Sequence, residues 1–224
     1  MTEARRSFLG RLTYEPDAFQ IKAMDSIDAD ASVLVAAPTG SGKTLIAEYG
    51  IERARSLGRR AFYTTPIKAL SNQKFRDLGD LYGAHNVGLV TGDNAFNADA
   101  PIVVMTTEVL RNMIYASSSR LDTLGVVVLD EVHYLQDAYR GPVWEEVIIQ
   151  LDPEVQLVCL SATVSNADEV AEWLSTVRGR TDVVQEDARG LLPEISDVGD
   201  GPSVQLWPHR HGTDAMFLAL LRRT

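Results

Sequence analysis

The stretch Val33-Leu34-Val35-Ala36-Ala37-Pro38-Thr39-Gly40-Ser41-Gly42-Lys43-Thr44 joins an apolar run to an amphipathic segment that begins at Thr44. This is the order of strand, loop and helix that a phosphate-binding loop requires. Small residues let the backbone curl, so that successive N–H groups and the positive end of the next helix face the phosphates of a nucleotide. The stretch therefore predicts a site for a nucleoside triphosphate.

The loop supplies the candidate nucleotide-binding residues, which are Ala37, Pro38, Thr39, Gly40, Ser41, Gly42, Lys43 and Thr44. In a loop of this pattern the lysine reaches the β- and γ-phosphates, and the hydroxyl of the last residue ligates Mg²⁺. Alanine stands at the first position, where the general pattern has glycine, but the Gly-Lys-Thr core is in register. The alternative is an ordinary Gly/Ser turn between a strand and a helix.

Beyond this loop, short β-branched runs alternate with longer segments of helical periodicity. The runs predict strands at 33–36, 60–64, 87–90, 102–105, 126–129 and 156–160. The periodic segments predict helices at 44–56, 67–82, 107–115, 142–151 and 166–177, with a further short helical segment at 215–221. Repeated strand and helix predict an α/β domain whose open, mostly parallel sheet is covered by helices on both faces.

Length and composition limit the class of protein. The chain has 224 residues and a formal net charge of −10, which counts against holding nucleic acid by general electrostatic attraction. No apolar run has the length of a membrane span or a signal peptide, so we expect a cytoplasmic protein without membrane association. We also expect a monomer. The lone Cys159 lies in an apolar run and is expected in the core, which excludes a disulfide framework.

The predicted strand 126–129 ends in Asp130-Glu131-Val132-His133. Acids at the carboxyl end of a buried strand, beside a phosphate loop, suit Mg²⁺ chemistry. Asp130 would hold the metal through its water shell, and Glu131 would orient and deprotonate the attacking water. We therefore predict Lys43, Asp130 and Glu131 as catalytic residues and Thr44 and Asp130 as metal ligands. A helix N-cap is the alternative interpretation of the acids.

A third segment, Ser161-Ala162-Thr163, follows the next strand and by itself would indicate only a helix cap. Taken in this order, the phosphate loop, Asp130-Glu131-Val132-His133 and Ser161-Ala162-Thr163 resemble the first RecA-like domain of a superfamily-two helicase. The resemblance implies a P-loop NTPase that uses ATP and Mg²⁺. It also implies that His133, Ser161 and Thr163 couple hydrolysis to movement along a strand.

Further segments are similar to motifs of the same family. Phe19-Gln20 resembles the adenine-reading Q motif, in which a glutamine amide pairs with the base. Segments 65–74, 91–93 and 106–111 resemble three motifs that line a single-strand track, where hydroxyl and N–H groups at helix starts hold phosphates without reading bases. The nucleic-acid contacts that the resemblance implies are Pro66, Lys68, Gln73, Thr91, Gly92, Thr107 and Arg111.

The run from Asp130 to Ile149 is similar to the superkiller-type, exosome-associated DEVH-box RNA helicases. Bacterial HelY-like proteins resemble the chain through Tyr63-Thr64-Thr65-Pro66 and through residues 160–167. The likeness covers about residues 14–184. It implies an ATP-dependent RNA helicase, with single-stranded RNA as the polymer and RNA-decay proteins as candidate partners. Trp144 and Trp173 have helical spacing and are expected in the core.

The resemblance divides the chain into a first RecA-like, ATP-binding domain at 1–185 and a C-terminal tail at 186–224. On this resemblance, we expect no second RecA-like domain within these 224 residues. Because that domain supplies arginines to the γ-phosphate, we expect weak nucleotide binding and very slow hydrolysis by the chain alone. Two alternatives stay open. One is a nucleotide-gated module that binds nucleic acid or protein without turnover, and the other is a DNA-directed translocase, because phosphate contacts do not distinguish RNA from DNA.

Overall fold

The computed structural model describes residues 2–162 and 167–186, together with two short strands at 203–205 and 217–219. The helices in these residues are α1 (Glu3–Leu9), α2 (Ala18–Asp28), α3 (Thr44–Ser56), α4 (Lys68–Tyr82), α5 (Thr107–Tyr115), α6 (Gly141–Gln150) and α7 (Ala167–Arg178). The strands are β1 (Ser32–Ala36), β2 (Arg60–Thr65), β3 (Val87–Thr91), β4 (Asn94–Phe96), β5 (Ile102–Thr106), β6 (Leu124–Leu129), β7 (Gln156–Ser161), β8 (Thr181–Gln185), β9 (Ser203–Gln205) and β10 (Phe217–Ala219).

Eight strands form one sheet in the order β4-β3-β5-β2-β6-β7-β1-β8. Every neighbouring pair in it is parallel except β3 and β4, which run antiparallel at one edge. Parallel neighbours need crossover connections, and the helices between the strands supply them. The predicted α/β fold with a mostly parallel sheet is confirmed, and its architecture is that of a RecA-like domain.

Helices cover both faces of the sheet, as predicted. Successive side chains of a strand point to opposite faces, so Val33 and Val35 of β1 join one apolar cluster while Leu34 and Ala36 join the other. The first cluster contains residues of α1, α2, α3 and α4, and the second contains residues of α5, α6 and α7. The central strands β1 and β6 are buried on both faces of the sheet. This burial explains why their sequences are almost entirely apolar rather than alternating.

The predicted core residues lie where the sequence placed them. Trp144 and Cys159 are fully buried, and Trp173 is partly buried against the second cluster. Burial raises the pKa of the Cys159 thiol to about 12, so the thiol stays protonated and unreactive near neutral pH. In the part of the chain that the structure describes, no helix has the length and apolar character to cross a membrane.

Five elements of the structure lie outside the predicted strands and helices, namely α1, α2, β4, β8 and β9. Of these, the edge strand β8 pairs with β1 beyond the point where periodicity fades. The short helix expected at 215–221 is wrong for Phe217–Ala219, which form a strand antiparallel to β9. A short apolar run fits either structure, and its pairing partner decides between them.

Candidate functional site

The candidate site lies at the carboxyl edge of the sheet. The strands β6, β7 and β1 are adjacent, and each is followed by one of the predicted motifs. The backbone N–H of Ala37 donates to the carbonyl of Ser161 at 3.2 Å, and this bond joins the start of the phosphate loop to the end of β7. Ligands of open α/β sheets bind at this edge. The three motifs are therefore brought together although more than 110 residues separate the first from the last.

The phosphate loop has the backbone that its sequence predicts. Gly40 and Gly42 adopt φ angles of 84° and 82°, in the left-handed region that favours glycine. A side chain at Gly42 would also meet the Nε2 atom of Gln20 at 2.6 Å. These positions therefore need glycine for backbone conformation and, at Gly42, for space.

Phe19 and Gln20, the predicted adenine-reading pair, are buried on α2. The Gln20 Nε2 atom donates to the carbonyl of Gly42 at 3.0 Å, and its Oε1 atom accepts from the N–H of Asp17 at 2.9 Å. Both ends of the amide are thus bonded to the backbone. In this structure Gln20 ties α2 to the phosphate loop, and contact with a base stays a prediction.

Lys43 folds over the loop that precedes it. Its Nζ atom donates to the carbonyls of Ala37 and Pro38, each at 2.7 Å. Burial lowers the pKa of Lys43 below its ordinary value, and the neighbouring carboxylates of Glu131 and Asp130 oppose this effect. The charge of the lysine therefore interacts with those of both acids, and joint binding of one nucleotide by these residues stays a prediction.

The donor groups around the loop fit a magnesium nucleotide. The buried hydroxyl oxygen of Ser41 has no hydrogen-bond partner within the described residues, although buried polar groups are normally paired. The Thr44 hydroxyl and the Asp130 carboxylate are hard oxygen donors of the kind that Mg²⁺ prefers. No cluster of three acidic, histidine or cysteine ligands occurs in residues 2–162 and 167–186. Magnesium suits such a site, because it is held by one or two protein groups together with phosphates and water.

Asp130 is held in place from two sides. The hydroxyl of Tyr63, which is buried on β2, donates to Asp130 Oδ2 at 2.7 Å. The backbone N–H of Glu131 donates to Asp130 Oδ1 at 3.0 Å. Burial, reinforced by the Asp130 carboxylate, raises the pKa of Tyr63 well above its ordinary value. The tyrosine therefore remains a donor and fixes the orientation of the carboxylate that is predicted to hold the metal.

Glu131 has an unusual backbone for a residue other than glycine, with φ 56° and ψ 43° in the left-handed region. Such conformations cost about 1–3 kcal/mol and are concentrated at functional sites. They reverse the chain directly after β6, before the 3-10 turn at Val132–Gln136. Asp30, Asn97 and Ser117 adopt the same region, so this conformation supports a functional assignment of Glu131 only together with its position beside Asp130.

His133 is near Glu131. Its Nδ1 atom lies 3.3 Å from Glu131 Oε2, within ion-pair distance but outside hydrogen-bond geometry. Its ring stacks on Tyr134, with ring centroids 5.0 Å apart, and Tyr134 stacks on the buried Trp144. His133 thus connects the acidic pair to the core of the second face, as a coupling residue would. Its coupling role stays a prediction.

Ser161 ends β7 between the other two motifs. Its side chain is 1% exposed and its hydroxyl has no partner within the described residues. A buried hydroxyl without a partner is costly, so it is available to a group that moves into the site. Thr163, the other predicted coupling hydroxyl, lies outside the described residues.

The predicted nucleic-acid residues follow the neighbouring strands β3, β5 and β2, at the same edge of the sheet. Lys68, Gln73 and Gly92 are exposed, whereas Pro66, Thr91 and Thr107 are buried. Lys68 Nζ lies 2.6 Å from Asp93 Oδ2, and Arg111 lies 3.7 Å from Glu146. Exposed pairs of this kind contribute little, so a phosphate could replace the carboxylate.

The two buried threonines have internal partners. The Thr91 hydroxyl donates to Asp93 Oδ1 at 3.1 Å, and the Thr107 hydroxyl donates to the carbonyl of Thr65 at 3.4 Å. In this structure their side chains therefore shape the strand ends. Contact between nucleic acid and the backbone at these positions is still compatible with the geometry.

Sequence reasoning gave no role to Tyr63 or Lys74, although both contact the predicted site. Tyr63 lies in a buried strand, and a buried phenol hydroxyl usually has a hydrogen-bond partner. That expectation is the only sign in the sequence that Tyr63 contacts a polar group. Lys74 was the last residue of a segment resembling a nucleic-acid motif. Its Nζ atom instead lies 3.4 Å from the Thr44 hydroxyl.

Tyr63→Phe is expected to lower the free energy of unfolding by about 1–3 kcal/mol, because it removes a hydrogen bond to a charged carboxylate and leaves the ring packed. Urea unfolding monitored by circular dichroism measures this change. Tyr139→Phe is the matched control, since Tyr139 is 94% exposed and should change stability by less than about 0.5 kcal/mol. Equal stability of the two variants would contradict a structural role for the Tyr63 hydroxyl.

Comparison with known proteins identifies the family. The family model "DEAD/DEAH box helicase" matches residues 17–170. The chain is 54% identical over 182 residues to the probable helicase HelY of Mycobacterium tuberculosis, covering 81% of this chain and 20% of that protein. It is 53% identical to the chloroplastic DExH-box ATP-dependent RNA helicase DExH15 of Arabidopsis thaliana, covering 77% and 15%. It is 49% identical to superkiller complex protein 2 of Mus musculus, covering 86% and 15%.

Solved structures agree. The helicase Lhr of Mycobacterium smegmatis, bound to ssDNA and AMP-PNP, has a TM-score of 0.67 and 29% identity over 83% of this chain and 28% of Lhr. The helicase MrfA bound to DNA, at 21% identity and a TM-score of 0.68 over 83% of this chain and 30% of MrfA, supports the fold alone. The chain spans a fifth or less of the length of the three curated relatives named above. Together with the arrangement of the site, the family match shows that this chain belongs to the DEAD/DEAH box helicases.

Proposed function

We propose that this chain is the nucleotide-binding motor domain of an ATP-dependent RNA helicase, in which Mg²⁺-dependent ATP hydrolysis drives movement along a single strand. The observation that carries the proposal is the arrangement of the strand ends. Lys43 follows β1 and the acids Asp130 and Glu131 follow β6, with β7 between these two strands, and the charge of the lysine interacts with those of both acids. An ordinary turn with a helix cap would not bring a lysine and two acids together.

Each residue has a distinct task in this proposal. Lys43 leaves the carbonyls of Ala37 and Pro38 and pairs with the β- and γ-phosphates. Thr44 and Asp130 hold magnesium, which would neutralise charge on the phosphates. Glu131 accepts a proton from the attacking water, and its strained backbone keeps the carboxylate near the site.

RNA is the polymer we favour. The relative from Arabidopsis thaliana, 53% identical, is named an RNA helicase. A DNA-directed translocase is the second candidate, because Lhr, 29% identical, was solved with ssDNA. The exposed Lys68 and Gln73 of α4 fit either polymer, since contacts to phosphates do not detect the 2′-hydroxyl group.

The test measures ATP hydrolysis by the purified chain in single-turnover conditions, with matched RNA and DNA single strands as additions. We expect slow hydrolysis by this chain, which RNA accelerates. Nucleotide-dependent RNA binding without hydrolysis would favour the binding module. Equal acceleration by DNA would favour the translocase.

A further inference from the structure

Lys74 lies among the groups that are predicted to hold magnesium. It projects from α4, and its Nζ atom is 3.4 Å from the Thr44 hydroxyl oxygen. The same atom lies 5.7 Å from the ring centroid of Tyr63, whose hydroxyl is bonded to Asp130. One ammonium group thus contacts the first predicted metal ligand and the side chain that orients the second.

The charges around Lys74 give it an alternative partner. Glu48 is one turn after Thr44 on α3, and burial raises the pKa of its carboxyl group. The charge of Lys74 is the largest influence that opposes this rise, followed by that of Arg11, while Asp77 adds to the effect of burial. Its ammonium group therefore contacts the Thr44 hydroxyl and also interacts through its charge with an acid one turn further along α3.

An ammonium group and Mg²⁺ that contact the same hydroxyl oxygen repel each other strongly, because the two positive charges lie only a few ångströms apart. We propose that Lys74 competes with Mg²⁺ for Thr44, so that magnesium-dependent nucleotide binding has to displace Lys74 toward Glu48. The inference rests on the proposed function, since it takes Thr44 as a ligand of the metal. It makes Lys74 a determinant of how much magnesium the site requires.

Lys74 lies on the helix that carries Lys68 and Gln73. A displacement of the Lys74 side chain would therefore also affect the predicted nucleic-acid side of the domain. Ser71 of the same helix is bonded to Thr65 at 2.7 Å, so the start of α4 is fixed to the end of β2. The charge of Lys74 therefore acts on the nucleotide site from α4, which is separate from the phosphate loop.

The experiment titrates Mg²⁺ against a fixed concentration of fluorescent ADP and records binding rather than hydrolysis. Lys74→Met is expected to lower the half-saturating Mg²⁺ concentration by about two- to tenfold, because no hydrogen bond from a cation has to be broken. Its affinity for ADP in EDTA should equal that of the unmodified chain. Lys74→Gln, a second neutral replacement, should give the same shift if Lys74→Met folds poorly.

Two controls separate the local effect from net charge. Lys74→Arg keeps the charge and should retain the unmodified magnesium requirement. Lys22→Met removes the same charge from an exposed position on α2 and should also leave the requirement unchanged.

The outcomes distinguish this inference from the proposed function. An unchanged or higher magnesium requirement in both neutral variants overturns the competition. Weaker ADP binding in EDTA also overturns it, because Lys74 would then contact phosphate directly. If the unmodified chain binds no ADP at any magnesium concentration, the proposed function fails and the inference fails with it.

Discussion

Glu131→Gln is expected to reduce single-turnover ATP hydrolysis by at least about 100-fold while leaving nucleotide binding within about threefold of the unmodified chain. A positioned general base contributes about 10²- to 10⁴-fold to a rate, and glutamine keeps the shape but accepts no proton. The carboxylate is 39% exposed, so its replacement leaves no buried cavity. The loss should therefore fall on the chemical step.

The structure offers a reason to expect unchanged folding in this variant. The left-handed backbone of Glu131 is held by the N–H bond to Asp130 Oδ1, and that bond does not use the Glu131 side chain. Glutamine can adopt the same conformation. Thermal unfolding should agree between the two proteins to within about 2 °C, because surface substitutions of this kind seldom exceed 0.5 kcal/mol.

Rapid-quench measurement of phosphate formation, with protein in excess over ATP, gives the rate of hydrolysis. Titration with fluorescent ADP measures nucleotide binding. Glu145→Gln makes the same chemical change at an exposed position of α6 and should hydrolyse ATP at the unmodified rate. A rate for Glu131→Gln within threefold of that control would remove the general base from the proposed mechanism.

The sequence predicted the parts of the fold that have a strong local pattern. The central strands are apolar throughout and the helices between them are amphipathic, so their order indicated a parallel sheet. The edge strand β8 has no such pattern, because only Val183 and Val184 of its residues are apolar. Its position depends on pairing with β1, which is a long-range contact that periodicity does not record.

The same limit applies to the site. Glycines, a lysine and acids at strand ends identified the loop and Asp130, because phosphate and metal chemistry restricts those residue types. The partners Tyr63 and Lys74 are fixed by the way β2 and α4 pack beside the loop. Any of several residues could have filled these positions, so only the fold shows which residues do.

The second large expected effect concerns Lys43. Lys43→Ala should weaken binding of ADP by about 10- to 150-fold, because a hydrogen bond between charged groups contributes about 1.5–3 kcal/mol. The variant also lacks the bonds from Nζ to the carbonyls of Ala37 and Pro38. Isothermal titration calorimetry in the presence of Mg²⁺ measures the affinity.

The stability of the Lys43→Ala variant separates a ligand-binding lysine from a structural one. Burial lowers the pKa of Lys43, which means that folding disfavours its charge despite the attraction of Glu131 and Asp130. Removal of the charge should therefore leave the free energy of unfolding unchanged or slightly higher at neutral pH. Substitution of residues that are kept for function often has this effect. Lys22→Ala is the control and should change neither quantity. The phosphate-binding assignment would be wrong if Lys43→Ala destabilised the fold by about 2 kcal/mol and left the affinity for ADP intact. Lys43 would then be a residue that stabilises the loop.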